Sequence, residues 1–276
     1  MQTPMSERER WNGPAGKAWV EARPMMDAMF CDLQDRLAQA VRDTAARDVL
    51  DVGCGTGSTT LAISEALPPG GSVTGVDISE TMLAEATARA ATAGSPARFV
   101  AADAQTYPFQ SQAFDLVTSR FGVMFFEDPV AAFANLRRAT RPGGHALLIA
   151  WRPAADNPYM TAAERAVAPL LPDLPPRKTS GPGQFAFGDA DYVRDVLTGA
   201  GWHDVAVTPL DVPCAFPAEA LDRYITGVGP VGLALREAND ATRERVLAVA
   251  REALAPFVHG DTVRFTAATW QIGARA

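Results

Sequence analysis

The chain is poor in cysteine: 276 residues hold three, Cys31, Cys54 and Cys214. Three thiols so far apart build neither a disulfide framework nor a zinc cluster, and no CxxC or HExxH pattern occurs, so a reducing compartment is expected. The three histidines, His145, His203 and His259, are equally scattered. Each sits beside a predicted strand end and reads as a turn histidine, not as a metal ligand or general base. No run approaches roughly 18 uncharged apolar residues, and the opening MQTPMSERERW alternates charge. The expectation is a cytoplasmic protein without signal peptide or membrane insertion. Positive charge is in deficit, 25 Lys+Arg against 32 Asp+Glu for a formal net charge of −7. That argues against a nucleic-acid surface built on bulk charge. Internal repeats and low-complexity tracts are lacking too. What is plentiful is core material: 47% of residues are hydrophobic and 21% charged, enough for one large or two modest domains.

The apolar residues Met25, Met26, Met29, Phe30, Leu33, Leu37 and Val41 recur at helical spacing, which predicts one core-packed helix from Pro24 to Val41. A repeated grammar follows. DVLDVG, a glycine turn, STTLAISEAL, PPGG, SVTGVD, a helix from Ser79 to Ala93, Gly94 and ARFVAAD read as strand, helix, strand, helix, strand. FDLVTSRF adds a strand, DPVAAFANLRRAT a helix capped by Asp128 with Pro129 in its first turn, RPGG a stop, and HALLIAW another strand. Short β-rich runs alternating with helices imply a parallel, doubly wound α/β sheet. Beyond Trp151 come a helical run near 161–170, the Pro- and Gly-rich loop LPDLPPRKTSGPGQFAFG, a helix over 189–200 and a strand near 205–212. Two helical patterns over 217–256 and the alternating strand DTVRFTAATWQIGA close the chain. The expected organisation is an N-terminal helical cap or lid over 1–44 and one α/β domain over 45–276, with excursions at about 152–188 and 217–258.

VLDVGCGTG places Gly53, Gly55 and Gly57 at alternate positions between an apolar strand and a helix, a turn that lets a ligand approach bare backbone. A dinucleotide fingerprint, GxGxxG, needs glycine at position 58. Ser58 stands there, which demotes a nicotinamide-dependent oxidoreductase. The second strand ends in Asp77, a carboxylate suited to vicinal ribose hydroxyls; Ser79 is available as the helix cap that Asp77 would otherwise be. The third strand ends in Asp103 followed by Ala104, suited to a purine amino group or, alternatively, a turn aspartate.

In order along the chain, DVLDVGCGTGSTT, VTGVDIS, FVAADAQTYPF, FDLVTSRFGVMFF and LRRATRPGGHALLIAWR resemble the class I S-adenosylmethionine-dependent methyltransferases, especially the small-molecule branch that includes the ubiquinone/menaquinone-type enzymes. The resemblance covers roughly residues 45–152. It implies a Rossmann-like, mostly parallel seven-stranded sheet with an antiparallel last strand and helical insertions. It also implies that S-adenosylmethionine is the cofactor and S-adenosylhomocysteine the product. Under that resemblance Gly53, Cys54, Gly55 and Gly57 line the methionine and ribose parts, and Asp51 sits near the methionine amino group. Asp77 holds the ribose, Ile78 and Met82 pack on the adenine faces, and Asp103 and Ala104 meet its edge. Arg120 and Phe121 reach the methionine end; the family often has a neutral residue where Arg120 stands, so Arg120 holds a cofactor or substrate carboxylate, or pairs with a nearby acid.

Methyl transfer from a sulfonium is an in-line displacement for which the protein chiefly aligns the reactants and excludes water. No catalytic base is nominated. Cys54 lacks a basic neighbour and reads as a packed residue, not a nucleophile. Trp11 and Trp19 read either as part of a lid over the cofactor or as anchors of the N-terminal segment. Tyr159, Phe185, Phe187 and Tyr224 read as candidate walls of an apolar acceptor site, and Arg152 and Arg177 as selectors of an anionic acceptor or as plain solvated arginines. The leading reading is methyl transfer to a small molecule by a monomer or homodimer. The alternatives are a non-catalytic cofactor-binding subunit or sensor, and a nicotinamide enzyme. Without an asparagine-proline tetrad or a basic stripe, protein and nucleic-acid acceptors fall behind.

Overall fold

A computed structural model describes residues 6–172, 174, 181–227, 229–236 and 238–276. Arg177, a candidate above, lies outside them. Seven strands form one path: β1 (Asp48–Val52), β2 (Ser72–Asp77), β3 (Arg98–Ala101), β4 (Phe114–Arg120), β5 (Thr140–Trp151), β6 (His203–Pro217) and β8 (Thr262–Arg275). Their spatial order is β3-β2-β1-β4-β5-β8-β6, and the two-residue β7 (Val258–His259) pairs with β8 outside that path. β1 to β5 are mutually parallel, while β8 runs antiparallel between β5 and β6. The strand order reverses between β1 and β4, and ligands of such sheets bind beyond the carboxyl ends at that crevice.

Both faces of the sheet are covered, which is why its central strands are apolar almost throughout. Val49, Val73 and Leu116 join Ile63 of α4 (Ser58–Ala66) and Val41 of α3 (Cys31–Asp43) in one cluster. Leu50, Val117 and Leu148 join Phe133 and Leu136 of α6 (Pro129–Ala139), and Val193 and Leu197 of α8 (Ala190–Gly199), in the other. The helix starts follow capping chemistry: Asp128, Ser79 and Asp189 each accept backbone N–H groups of the first turn, and Pro129 opens α6. At the amino end of the sheet Arg141 bridges Asp48 at 2.9 Å and Asp115 at 2.5 Å, tying β5 to β1 and β4.

Four features depart from the sequence reading. The predicted helix from Pro24 to Val41 is two helices, α2 (Pro14–Met29) and α3, broken at Phe30, with Pro24 inside α2. The apolar period continues through the break because Phe30 is itself buried against Phe121 and Trp151. RPGG does not end α6 as a free turn; it lies within β5, where Thr140 already pairs with Phe114 before a bulge. β6 extends five residues beyond Val212. Its Pro209, Pro213 and Pro217 share one parity and β6 is the sheet edge, so their missing N–H groups fall on the unpaired side. Finally, the described residues of the 217–256 region hold three α-helices, α9 (Leu221–Gly227), α10 (Gly229–Leu235) and α11 (Asp240–Leu254). With α7 (Pro158–Val167) they form their own small core around Val167, Ile225, Leu235, Val246 and Leu254. Among the described residues no helix is long and apolar enough to cross a membrane.

Candidate active site

The three glycines of the turn all take positive φ, at 66°, 54° and 83°, but they do different work. A methyl group on Gly53 would lie 2.5 Å from Gly122 Cα, so this glycine lets the β1 and β4 turns touch. On Gly57 it would lie 2.9 Å from Ala86 Cβ and 3.1 Å from Phe99. Gly57 is thus a packing residue behind the turn and does not line the cleft, in contrast to the role expected for it. On Gly55 the nearest atoms would be Met82 Sδ at 3.8 Å and Trp19 Nε1 at 3.9 Å. These are ordinary van der Waals distances, so Gly55 is uncrowded and borders the cleft. Ser58, which replaces the third dinucleotide glycine, donates its hydroxyl to Asp27 and accepts from Arg89 Nη1 at 3.0 Å. Arg89 also pairs with Asp27 at 3.0 Å, so the start of α4 is bound to α2 and to α5 (Glu80–Ala93).

A cleft of about 1040 Å³ opens above these strand tips. Asp51, Gly53, Cys54 and Gly55 line it from β1 and its turn, Asp77, Ile78 and Met82 from β2 and α5, and Asp103 and Ala104 from the end of β3. Asp77 is buried; its Oδ2 accepts from Gly55 N and its Oδ1 from Ser79 N, both at 2.8 Å. It therefore shapes the turn as well as walling the cleft. Burial raises its pKa against those backbone hydrogen bonds. Asp51 is buried too, and accepts from Thr60 Oγ1 at 2.6 Å and Thr118 Oγ1 at 3.3 Å. Burial outweighs those hydroxyls and the Arg120 charge and lifts its pKa from 3.8 to about 6. Asp103 spends one oxygen on Gln105 N at 2.9 Å, as a turn aspartate does, and still borders the cleft. The Cys54 thiol is pushed well up by burial and the nearby Asp77 and Asp51, which keeps it protonated.

The N-terminal helices roof this end. Asn12 of α1 (Glu7–Asn12) donates to Ile78 O at 3.0 Å and accepts from Glu80 N at 2.9 Å, and Ser79 Oγ donates to Trp11 O at 2.7 Å. Trp11 packs edge-on against Trp19 and Phe125, and both tryptophans line the cleft, so they are walls and anchors at once. The joint between α2 and α3 supplies Met26, Met29 and Phe30, which sequence reasoning assigned only to the core. Phe121 holds a left-handed φ of 70°, unusual for a bulky residue, and stacks on Trp151 at 4.4 Å.

Farther out the walls become mostly apolar, with Tyr159, Met160, Leu171, Phe185, Tyr224 and Val231 beside the polar Glu164 and Gln184. Tyr159 stacks on Phe265, and burial then the neighbouring Tyr224 raise its phenol pKa well above the usual value. Phe187, an expected wall, is buried against Phe133 and Tyr192 away from the cleft. Arg152 pairs with Asp156 and Asp211 and covers Trp270, also away from it. The missed walls from α9 and α10 carried no sequence signal beyond ordinary helical periodicity. His145 lies on a second groove of about 1190 Å³ that includes none of the glycine turn. No cluster of three or more His, Cys, Asp or Glu residues suited to a metal occurs among the described residues.

Residues 49–144 match the family model described as a methyltransferase domain. Over 95 residues, 34% of the chain, it is 41% identical to the demethylmenaquinone methyltransferase of Staphylococcus aureus (strain JH9). That alignment covers 39% of the relative, so the chain spans about two-fifths of the length of the curated relatives it matches. The YcgJ protein of Bacillus subtilis superposes with a TM-score of 0.56 at 18% identity, covering 87% of this chain and 97% of that one. Phosphoethanolamine N-methyltransferase 2 of Haemonchus contortus, in complex with S-adenosyl-L-methionine, gives 0.52 at 16% identity over 87% of this chain and 52% of that one. At such identities the likeness is one of fold. The matched residues 49–144 contribute Asp51 through Phe121 to the cleft, whereas Tyr159, Phe185 and Tyr224 come from outside them.

Proposed function

We propose that this chain binds S-adenosylmethionine across the tips of β1, β2 and β3 and transfers its methyl group to a small molecule held at the apolar end of the same cleft. The observation that carries the reading is the continuity of the cleft. One cavity of about 1040 Å³ joins three strand-tip carboxylates to a wall of aromatic and aliphatic side chains, a volume at the upper end of small-molecule sites. The donor set supports the cofactor. Asp51, Asp77 and Asp103 are acceptors for an ammonium, a diol and a purine amino group, Ile78 and Met82 are apolar flanks for a ring, and the uncrowded backbone of Gly55 borders the same cleft.

When bound, the cofactor would supply a methyl group already activated toward displacement by the positive sulfur. The chain's own residues then bind and orient. Asp77 accepts from ribose hydroxyls while keeping Gly55 in place, and Asp51 in its ionised form holds the ammonium. Phe121, stacked on Trp151 and held at a strained φ, walls the junction between the two ends and excludes water from it. In the outer wall the Tyr159 phenol stays protonated, and a carboxylate is supplied there by Glu164. This favours acceptors whose nucleophilic atom needs no strong base. The same reading takes the protein as cytoplasmic, with which its three unpaired cysteines agree, and as a monomer or homodimer.

Parallel calorimetric titrations with S-adenosylmethionine, S-adenosylhomocysteine and NAD test the first half. Binding of the first two but not NAD is expected; NAD alone would overturn the reading. Labelled-methyl transfer to a metabolite extract tests the second half, and a cofactor-binding protein that labels nothing would leave the sensor alternative standing.

A further inference from the structure

The cleft contains a half-buried cation, Arg120, that the mechanism above does not use. Arg120 ends β4 and borders the cleft. The β1–β4 register pairs Asp51 with Thr118, and strand alternation puts Arg120 on the same face as Thr118, one step nearer the carboxyl edge. Thr118 Oγ1 bonds Asp51, so carboxylate and guanidinium stand beside each other on one wall. Arg120 makes one hydrogen bond, a long one of 3.3 Å from Nη1 to Phe30 O, and no ion pair among the described residues. The two acids that share its field are engaged elsewhere: Asp27 with Ser58 and Arg89, Asp51 with Thr60 and Thr118. A guanidinium has five donors, and a charge taken from water without an anionic partner is costly. None of the nitrogens of Arg120 is both sealed and unpartnered, so the spare donors face the cleft.

A carboxylate next to a guanidinium complements an ammonium next to a carboxylate. We propose that Asp51 and Arg120 form a clamp for the zwitterionic amino-acid end of the cofactor, with Arg120 holding the carboxylate, so that the site selects ligands that carry this carboxylate. The inference rests on the cofactor reading above and assigns Arg120 to the cofactor instead of the acceptor.

The test compares wild type, Arg120→Gln and Arg120→Lys, each checked for native circular dichroism, in calorimetric titrations with three ligands. These are S-adenosylhomocysteine, its decarboxylated analogue, which keeps the ammonium, and 5′-methylthioadenosine, which lacks both groups. Wild type should bind S-adenosylhomocysteine roughly 10- to 100-fold more tightly than the decarboxylated analogue, the range for a charge-assisted hydrogen bond. Arg120→Gln should erase that preference while changing 5′-methylthioadenosine affinity less than about threefold, and Arg120→Lys should restore part of it. The wild-type comparison needs no variant, so a misfolded mutant cannot shelter the idea. Equal wild-type affinity for the carboxylated and decarboxylated ligands overturns the clamp alone, as does an Arg120→Gln loss of the same size for all three ligands, which would mark Arg120 as support for Phe30. Wild type that binds none of the three overturns the cofactor reading and the clamp with it.

Discussion

Replacing Asp51 by Asn should make the unliganded protein more stable and unable to hold its cofactor. Burial raises the Asp51 pKa from 3.8 to about 6, so the folded state binds this proton more tightly than the unfolded chain does. The benefit of that tighter binding is complete below about pH 4 and is lost as pH rises through 6. Above pH 6 the folded protein carries a buried, ionised carboxylate at a cost of about 3 kcal/mol, two pKa units at 1.36 kcal/mol each. Asparagine removes the charge and keeps the shape. Thr60 can still donate to its oxygen, and the Thr118 hydroxyl can turn to accept from its amide. A net gain of between about 1 and 3 kcal/mol is expected, or roughly 3 to 10 °C in Tm for a chain of this size. Thermal melts followed by circular dichroism at pH 7.5 and pH 5.0 read it. The gain should halve at pH 5.0, where wild type is mostly protonated in the fold and only partly so when unfolded. Saturating S-adenosylhomocysteine should raise the Tm of wild type and leave the variant unmoved. A variant less stable than wild type at pH 7.5, or a gain that ignores pH, would refute the assignment of Asp51 as a strained, ligand-awaiting carboxylate.

Three further outcomes follow from the geometry of the turn. Gly57→Ala should cost stability, roughly 2 to 4 kcal/mol by chemical denaturation, because the added methyl meets Ala86 at 2.9 Å and the residue must hold φ at 83°. Gly55→Ala pays only for its φ of 54°, about 1 to 2 kcal/mol, yet should weaken S-adenosylhomocysteine at least tenfold by filling the space against Met82 and Trp19; calorimetry that finds the two variants alike would contradict their division of labour. Asp77→Ala should lose at least tenfold in cofactor affinity and also lower Tm by several degrees, since Gly55 N and Ser79 N lose their acceptors. Unchanged affinity in the folded variant would remove Asp77 from the site.

The inner half of the site was legible because it is written in short segments. A glycine turn after an apolar strand, a carboxylate at the next strand tip, and Asp-Pro at a helix start are each contiguous in sequence and each have one dominant physical cause. What escaped depends on segments that meet only in the fold. Ser58 reads as a failed glycine until Asp27, 31 residues earlier, is seen to accept its hydroxyl. The helical stripe from Met25 to Val41 keeps its period through the break at Phe30, because the residue that ends one helix is held by Phe121 and Trp151 and so stays apolar. Gly57 was counted with its neighbours by spacing alone, although a crowded Cβ position and an open one look identical in sequence. Arg120 is the sharpest case. Its meaning lies in the pairing of β1 with β4, which sets it beside a carboxylate 69 positions earlier and beneath the carbonyl of Phe30. Local pattern can say that a strand tip is occupied by a cation; the anion it lacks becomes visible only when every neighbouring acid is found committed elsewhere.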